Sequence, residues 1–235
     1  MLLEPVFRKS DIERKLLDYF VSHDRTHTVA IVPLLLARPS DEFVKTKLLE
    51  NFLYWHLRSE DYVNFFCVGY VPYYHCPESR PTGIRLGGHE WGFSEEAFTE
   101  FLSDFESITD WRFNGNPTLI IFNAQYDGET TGLDYTECIS IDLVDANGLA
   151  HSPTKIFEEI IRFSRESNKN NVNLLRKYSD AQGASLIKTG FKEWFLSHLP
   201  SSINKTTKQA IMYATQQHNC TPKNNVLHVD FKSKK

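Results

Sequence analysis

The chain has 235 residues, 41% of them hydrophobic and 24% charged, a composition typical of soluble globular proteins. No apolar run reaches about 18 residues and the N-terminus lacks the basic stretch of a signal peptide, so we expect neither a transmembrane helix nor secretion. The four cysteines are widely spaced and form no CxxC pair. This spacing favours reduced thiols in a cytoplasmic protein over a disulfide framework.

The overall charge of −4 hides an asymmetry between two parts of the chain. Residues 165–235 carry 12 Lys and Arg against 4 Asp and Glu, a net charge of +8, so residues 1–164 carry −12. This split predicts an α/β domain over 1–164 and a basic helical extension over 165–235. The extension either lies against its own acidic domain or binds an anionic partner, such as nucleic acid or an acidic protein surface.

The first part of the domain alternates between helix and strand signals. A capping box at residues 10–13 begins a short helix, and the nearly continuous apolar run 28–36 predicts a strand buried on both faces. Ser40 then caps a helix over about 41–58, and residues 62–70 predict a second buried strand. The expected order is therefore helix, strand, helix, strand.

An irregular segment over 71–92 precedes the second part of the domain. A helix begins at Ser94, Pro117 opens a buried strand, residues 138–144 predict a strand antiparallel to it, and a helix covers 153–164. In the extension, polar residues predict a linker at 167–171 and apolar spacings predict three helices, at 172–178, 184–199 and 205–217. The middle helix has an apolar side formed by Ile187, Phe191, Trp194 and Leu196.

The strand that follows Asn116 and Pro117, with the sequence Thr-Leu-Ile-Ile-Phe, carries a resemblance to a known fold. Over residues 28–164, the order strand, helix, strand, helix, strand, strand, helix resembles the thioredoxin family. The resemblance implies a mixed sheet flanked by helices, with the proline before the third core strand facing the active-site dithiol. The rival interpretation, a flavodoxin-like or Toll/interleukin-receptor-like sheet, needs additional parallel strands that 165–235 does not supply beyond the brief run 226–229.

This chain lacks the cysteines on which the redox chemistry of that family depends. The resemblance places a dithiol just after the first core strand, where residues 37–41 read Ala-Arg-Pro-Ser-Asp and contain no cysteine. Cys67 lies in the middle of a predicted strand, where a buried thiol is expected to be inert. The resemblance therefore implies a scaffold without redox activity, of a kind that serves as a binding module.

The segment 71–92 is the main candidate for a functional surface. Long irregular segments in compact domains are often functional, and this one is rich in the residue types found at interface hot spots. We predict that it contacts a protein partner, and that two lysines of the extension take part. The predicted contact residues are Tyr73, Tyr74, Arg80, Arg85, Trp91, Lys188 and Lys192.

Metal binding is a weaker alternative for the same region. His75, Cys76, His89 and Glu90 are possible ligands, but their spacing matches no common zinc template. Asp127, with Glu129 close by, could hold a divalent cation for hydrolysis. Exposed acidic loops are more often simply solvated, so the sequence predicts neither a metal nor another cofactor.

These patterns together predict a redox-inactive binding or regulatory subunit of a larger cytosolic complex, with a protein partner and no membrane contact. Three alternatives stay open. The first is a metal-dependent hydrolase or nuclease that uses the acidic and histidine loops, and the second is a nucleotide-handling effector. The third is a nucleic-acid-binding protein that acts through the basic extension, for which steep salt dependence is expected.

Overall fold

The structure is a computed structural model that describes residues 3–6, 8–22, 28–60, 62–109, 111–126, 129, 131–144 and 152–169. The helices predicted within 172–217, the contact residues Lys188 and Lys192, and the metal candidate Asp127 lie outside the described residues.

A five-stranded mixed sheet forms the centre of the domain, with strand order β1–β3–β2–β7–β8. Its strands, in that order, are Leu3–Val6, Phe65–Val68, Thr28–Leu36, Thr118–Tyr126 and Thr131–Asp142. The first three run parallel to one another, β7 is antiparallel to β2, and β8 is antiparallel to β7. The expected mixed α/β class and the antiparallel final pair are confirmed, whereas β1 was not predicted.

Four α-helices accompany this sheet: α1 Lys9–Ser22, α2 Phe52–Ser59, α3 Glu95–Ile108 and α4 Pro153–Lys169. A π-helical turn, Val44–Leu48, and a 3₁₀ turn, Leu49–Asn51, lead into α2, so the predicted helix over 41–58 is not uniform. Helix α4 continues to Lys169 and so includes the first part of the stretch predicted as a linker, 167–171.

The helices cover both faces of the sheet. Phe122 and Tyr126 point to one face of β7, where Phe105 of α3 lies 5.6 Å from Phe122 and Phe20 of α1 lies 5.3 Å from Tyr126, between ring centroids. Leu34 pairs with both Phe66 and Ile120, so Phe65, one position away, points to the opposite face.

On that opposite face, α4 inserts an aromatic side chain between a helix and a strand. The Phe157 ring is stacked 4.8 Å from Phe65 of β3 and 4.0 Å from Trp55 of α2. The molecule is therefore layered, with α1 and α3 on one side of the sheet and α2 and α4 on the other.

A second, three-stranded sheet corrects the prediction of an irregular segment over 71–92. Its order is β4–β6–β5, with β4 Tyr70–Pro72, β6 His89–Phe93 and β5 Arg80–Leu86, all antiparallel. Gly87 and Gly88 close the β5–β6 hairpin with φ of 59° and 81°. Two successive positive φ values are what a type I′ turn requires, and glycine adopts them without strain.

Within the described part of the chain, no helix is long and apolar enough to cross a lipid bilayer.

Candidate functional site

Two loops lie side by side at one end of the central sheet. Leu36, the last residue of β2, pairs with Thr118, the first residue of β7. The loop that follows β2 therefore lies beside the loop that ends at Pro117, which is buried. We call residues 37–43 with Pro117 the β2 edge, because they lie at the end of the sheet where β2 ends; β2 itself is the central strand. This is the position at which the thioredoxin-like interpretation of the sequence predicted that family's dithiol.

Arg38 occupies the β2 edge and is held in place by α3. Its Nε donates a hydrogen bond to Glu95 Oε1 at 2.7 Å. Its guanidinium carbon lies 4.4 Å from the centre of the Phe98 ring and 5.4 Å from that of Phe113. An ion pair combined with two aromatic neighbours fixes a planar guanidinium in one orientation. Arg38 therefore links the β2 edge to α3 and to the segment before β7.

The start of the helix after β2 is capped by Asp41, which corrects the prediction that Ser40 is the cap. Asp41 Oδ1 accepts hydrogen bonds from the backbone N–H of Phe43 at 2.8 Å and of Val44 at 3.3 Å. A helix N-terminus carries partial positive charge and lowers the pKa of a thiol placed there. Here a carboxylate already satisfies those N–H groups, so the feature that would activate a cysteine is in use.

The two cysteines with described side chains are far from being reactive thiolates. Complete burial raises the pKa of the Cys67 thiol well above its ordinary value. Cys76 Sγ donates to Glu78 Oε1 at 3.0 Å, and this hydrogen bond is the main reason that the pKa of Cys76 is raised. Since thiol exchange requires thiolate, neither residue suits redox chemistry near neutral pH.

The second sheet presents an exposed aromatic and histidine cluster. Tyr74 is 57% exposed, and the centre of its ring lies 4.1 Å from that of His75 and 4.6 Å from that of His89. Arg85 and Glu90 are opposite each other in the β5–β6 register, and both are exposed. We call these five residues the hairpin surface. Tyr74 and His75 lie in the turn that follows β4, whereas Arg85 and Glu90 lie within the small sheet. Because His89 and Glu90 are neighbours in β6, they point to opposite faces of the sheet. The hairpin surface therefore has two exposed parts, an aromatic part around Tyr74 and a charged part that contains Arg85.

The remaining predicted contact residues have different positions. Arg80 is exposed at the start of β5 and Tyr73 is half-buried beside Tyr74. Trp91 is 5% exposed and belongs to the hydrophobic core, and its backbone carbonyl accepts a hydrogen bond from Thr82 Oγ1 at 2.6 Å. Trp91 therefore supports the hairpin surface from beneath and does not lie on it.

The metal candidates do not converge where they are described. Among the described residues, no group of three or more His, Cys, Asp or Glu side chains is placed to hold a metal ion. His75 and His89 both lie against the Tyr74 ring, and Glu90 lies opposite Arg85. The second predicted cluster is centred on Asp127, which lies outside the described residues, and its neighbour Glu129 is exposed.

One exposed surface was missed by the sequence patterns. Leu53, Tyr54 and Leu57 of α2 are 51%, 45% and 65% exposed, although Phe52 and Trp55 of the same helix are fully buried. The signal was present in the spacing of Leu53 and Leu57, which are four residues apart and therefore lie on the same side of a helix. We call Leu53, Tyr54 and Leu57 the outer face of α2.

Comparison of the chain with protein-family models, with curated proteins and with solved structures finds no match. The function is therefore inferred from the hairpin surface, from the outer face of α2 and from the chemistry of the β2 edge.

Proposed function

We propose that this protein is a redox-inactive, thioredoxin-like binding module that serves as a regulatory subunit of a larger cytosolic complex. The hairpin surface is its contact region for a protein partner, and the basic extension supplies a second, electrostatic contact. The observation that carries the proposal is the 57% exposure of Tyr74, which lies in the turn after β4 with its ring in contact with two imidazole rings.

The order of elements supports the thioredoxin-like part of the proposal. From β2 onwards the central elements are strand, helix, strand, helix, an antiparallel strand pair and a helix, as the resemblance implies. The second sheet is an addition to that layout, inserted between β3 and α3. An insertion at this point presents a surface without disturbing the pairing of the central strands.

The chemistry of the β2 edge supports binding over catalysis by thiols. Arg38 is tied to Glu95 and Asp41 caps the following helix, so the polar groups of the edge satisfy one another. The hairpin surface has the opposite character, with an exposed ring, two imidazoles and an Arg–Glu pair. Tyr and Arg contribute strongly at protein interfaces because they combine apolar contact area with hydrogen bonding.

The ordered geometry of the hairpin surface also favours binding. Backbone hydrogen bonds hold the turn that carries Tyr74, since His75 N–H donates to the Pro72 carbonyl at 2.9 Å and Cys76 N–H to the Tyr73 carbonyl at 3.2 Å. Side chains on a backbone that is already fixed lose less conformational entropy when a partner binds. The Tyr74 ring contacts the rings of His75 and His89, and these contacts further limit the rotation of all three side chains. A partner with an apolar or aromatic anchor and an acidic group to pair with Arg85 would suit this surface.

Affinity purification with quantitative mass spectrometry from the native cell tests the proposal. The full-length protein is compared with the double variant Tyr74→Ala/Arg85→Ala and with the control Val21→Ala, which changes another exposed apolar side chain at 59% exposure. We expect a defined set of proteins to be retained by the wild type and the control and lost from the double variant. Equal retention by all three would contradict the hairpin surface as the contact region.

The second contact, through the basic extension, is tested by salt. A complex that depends on exposed charges weakens as ionic strength rises, because the screening length is only about 8 Å at physiological salt. Replacing Lys188 and Lys192 with Glu should weaken the complex relative to the wild type, and the difference should be largest at low salt. A steep logarithmic dependence on salt with purified RNA or DNA would instead support the nucleic-acid alternative.

A further inference from the structure

Helix α2 is apolar on two sides, and one side has no cover among the described residues. Phe52 and Trp55 are buried against the sheet and α4, whereas Leu53, Tyr54 and Leu57 are 45–65% exposed. Single exposed apolar residues are ordinary on protein surfaces. Three large ones on a helix of eight residues form a continuous strip, and such strips mark contact sites.

The direction of α4 places its own C-terminal end on the side of the molecule that carries this strip. Phe157 is stacked on Trp55, Glu158 Oε2 lies 3.2 Å from Arg58 Nη2, and the Arg165 guanidinium carbon lies 5.0 Å from the centre of the Tyr62 ring. Contacts that advance along both segments together show that α4 runs beside α2 in the same direction. Residues 170–235 therefore leave α4 at the C-terminal end of α2, the end that carries Leu57.

The chain beyond Lys169 contains a segment of matching character. In 184–199, Ile187, Phe191 and Trp194 recur at intervals of four and three residues, as one side of a helix requires. Leu196, which the sequence pattern grouped with them, falls on the opposite side of a regular helix. Lys188 and Lys192 are about 100° around a helix from Ile187 and Phe191, so they fall beside the apolar side. One segment can thus present an apolar side to the domain and its lysines to the solvent.

The connection is long enough to allow this contact. Residues 170–183 join α4 to the segment. Fourteen residues span about 21 Å in helical form and up to about 46 Å in extended form. Helix α2, with eight residues, is only about 12 Å long. The whole outer face of α2 is therefore within reach of 184–199.

We propose that residues 184–199 of this same chain dock on the outer face of α2, with Ile187, Phe191 and Trp194 against Leu53, Tyr54 and Leu57. The small size of the strip favours an attached segment over a separate molecule. A stable complex between separate proteins buries about 800 Å² on each partner, more than three side chains provide. A tethered segment instead acts at an effective concentration in the millimolar range, where a small apolar contact is sufficient.

This docking gives the two sides of the segment different roles. The apolar side is used within the molecule, and Lys188 and Lys192 remain at its margin, near the hydroxyl of Tyr54 and the Arg58–Glu158 pair. The basic extension would then be held beside α2 and α4 and not be spread at random around the domain. An anionic partner would meet a fixed group of positive charges.

Hydrogen exchange with mass spectrometry on the full-length protein tests the docking from both sides. The first variant, Leu53→Ser/Leu57→Ser, changes only exposed side chains, so the domain should stay folded. We expect exchange within 184–199 to become at least about tenfold faster, because docking protects its amides only while the contact is formed. The matched control is Val21→Ser, an exposed apolar residue of α1, which should leave 184–199 unchanged.

The second variant, Phe191→Ser/Trp194→Ser, changes the proposed partner instead of the domain. It should accelerate exchange in the last turn of α2 and leave exchange in β7 as in the wild type, which separates undocking from unfolding. Exchange in 184–199 that does not respond to Leu53→Ser/Leu57→Ser would overturn the proposal. Protection of 184–199 that falls on dilution would also overturn it, because it would assign the contact to a second copy of the chain. Neither measurement depends on the hairpin surface or on its partner.

Discussion

The β2 edge and the hairpin surface both combine an arginine, aromatic rings and a carboxylate, and use them in opposite ways. Arg38 is joined to Glu95 at 2.7 Å and covers the Phe98 ring. Arg85 lies on the outside of a hairpin, and Tyr74 is exposed in the turn that follows β4 of the same small sheet. The first arrangement connects parts of the same chain, and the second leaves its groups available to another molecule. Residue type alone therefore does not identify a contact surface, because the surroundings decide whether the groups are already satisfied.

The comparison is sharpest between two aromatic residues, Trp91 of the second sheet and Tyr74 of the turn after β4, and here the largest effect is expected. Changing Trp91→Ala removes a side chain that is 5% exposed and leaves a cavity in the core. Such a change should lower the free energy of unfolding by about 3–5 kcal/mol. Changing the exposed Tyr74→Ala should alter it by no more than about 0.5 kcal/mol.

Urea denaturation followed by fluorescence and circular dichroism measures both variants against the wild type. Equal destabilisation by both changes would show that Tyr74 belongs to the packing of the sheet, and its role as a contact residue would then be lost. A Trp91→Ala variant as stable as the wild type would show that the second sheet does not depend on its apolar underside.

Much of the central fold could be predicted from the sequence because its signals are local. The apolar run over Thr28–Leu36 coincides with the bounds of β2, and Ser94 begins α3 with its side chain accepting from Ala97 N–H at 3.2 Å. Strand β1 was missed because its four residues are too few for a periodic pattern.

The second sheet was missed for a different reason. Pro81 and Gly83 interrupt the alternation in β5, and the register shifts between Pro81 and Ile84, so no period of two is visible. The Gly87-Gly88 pair was the available signal, since two glycines between short strands are typical of a hairpin. The pairing of Arg38 with Glu95, which are 57 positions apart, could not be predicted from local patterns, because only the folded chain brings them together.

The two arginines provide the next largest difference. Arg38→Ala removes a charge-assisted hydrogen bond and a contact with an aromatic ring, and both groups are partly exposed. We expect a loss of about 1–2 kcal/mol in the free energy of unfolding, from a surface ion pair worth up to about 1 and a cation–π contact worth about 0.5–1 kcal/mol. Arg85→Ala, the matched control on the hairpin surface, should change it by less than about 0.5 kcal/mol.

Arg38→Lys separates the two contributions. Lysine keeps the positive charge but lacks the planar group that lies over Phe98, so it should recover only part of the loss. Denaturation at low and high salt measures how much of the lost unfolding free energy comes from the ion pair, because screening weakens only the ion pair. If Arg38→Ala has no effect, the β2 edge is not held by this residue and its contrast with Arg85 disappears.

Asp41 gives a smaller effect at the same edge. Replacing it with Ala leaves the N–H groups of Phe43 and Val44 without their side-chain acceptor. The loss of a helix cap typically costs about 1 kcal/mol, and Asp41→Asn should retain most of the stability because its amide oxygen can accept the same bonds. Ser40→Ala, the control suggested by the sequence, should be nearly neutral. A larger loss from Ser40→Ala than from Asp41→Ala, measured by urea denaturation, would return the cap to Ser40.

The smallest expected effect is in thiol chemistry, where the protein should show no turnover at all. In an insulin-reduction assay, the wild type should not exceed a variant in which all four cysteines are replaced by serine. The reason is visible at Cys76, since a thiol that donates a hydrogen bond to the Glu78 carboxylate is stabilised in its protonated form, which raises its pKa. At a given pH, Cys76 therefore contains less thiolate than an ordinary cysteine.

Glu78→Gln removes the negative charge that favours the protonated thiol, so the pKa of Cys76 should fall and its alkylation at pH 8 should become a few-fold faster. Cys67, which is buried away from Glu78, should react as slowly in the variant as in the wild type. Alkylation of Cys76 that is unchanged by Glu78→Gln would show that restricted access, and not the carboxylate, limits its reactivity. Insulin reduction above the cysteine-free variant would place a working thiol in a protein whose β2 edge has none, and the contrast between a closed edge and an open hairpin surface would fail.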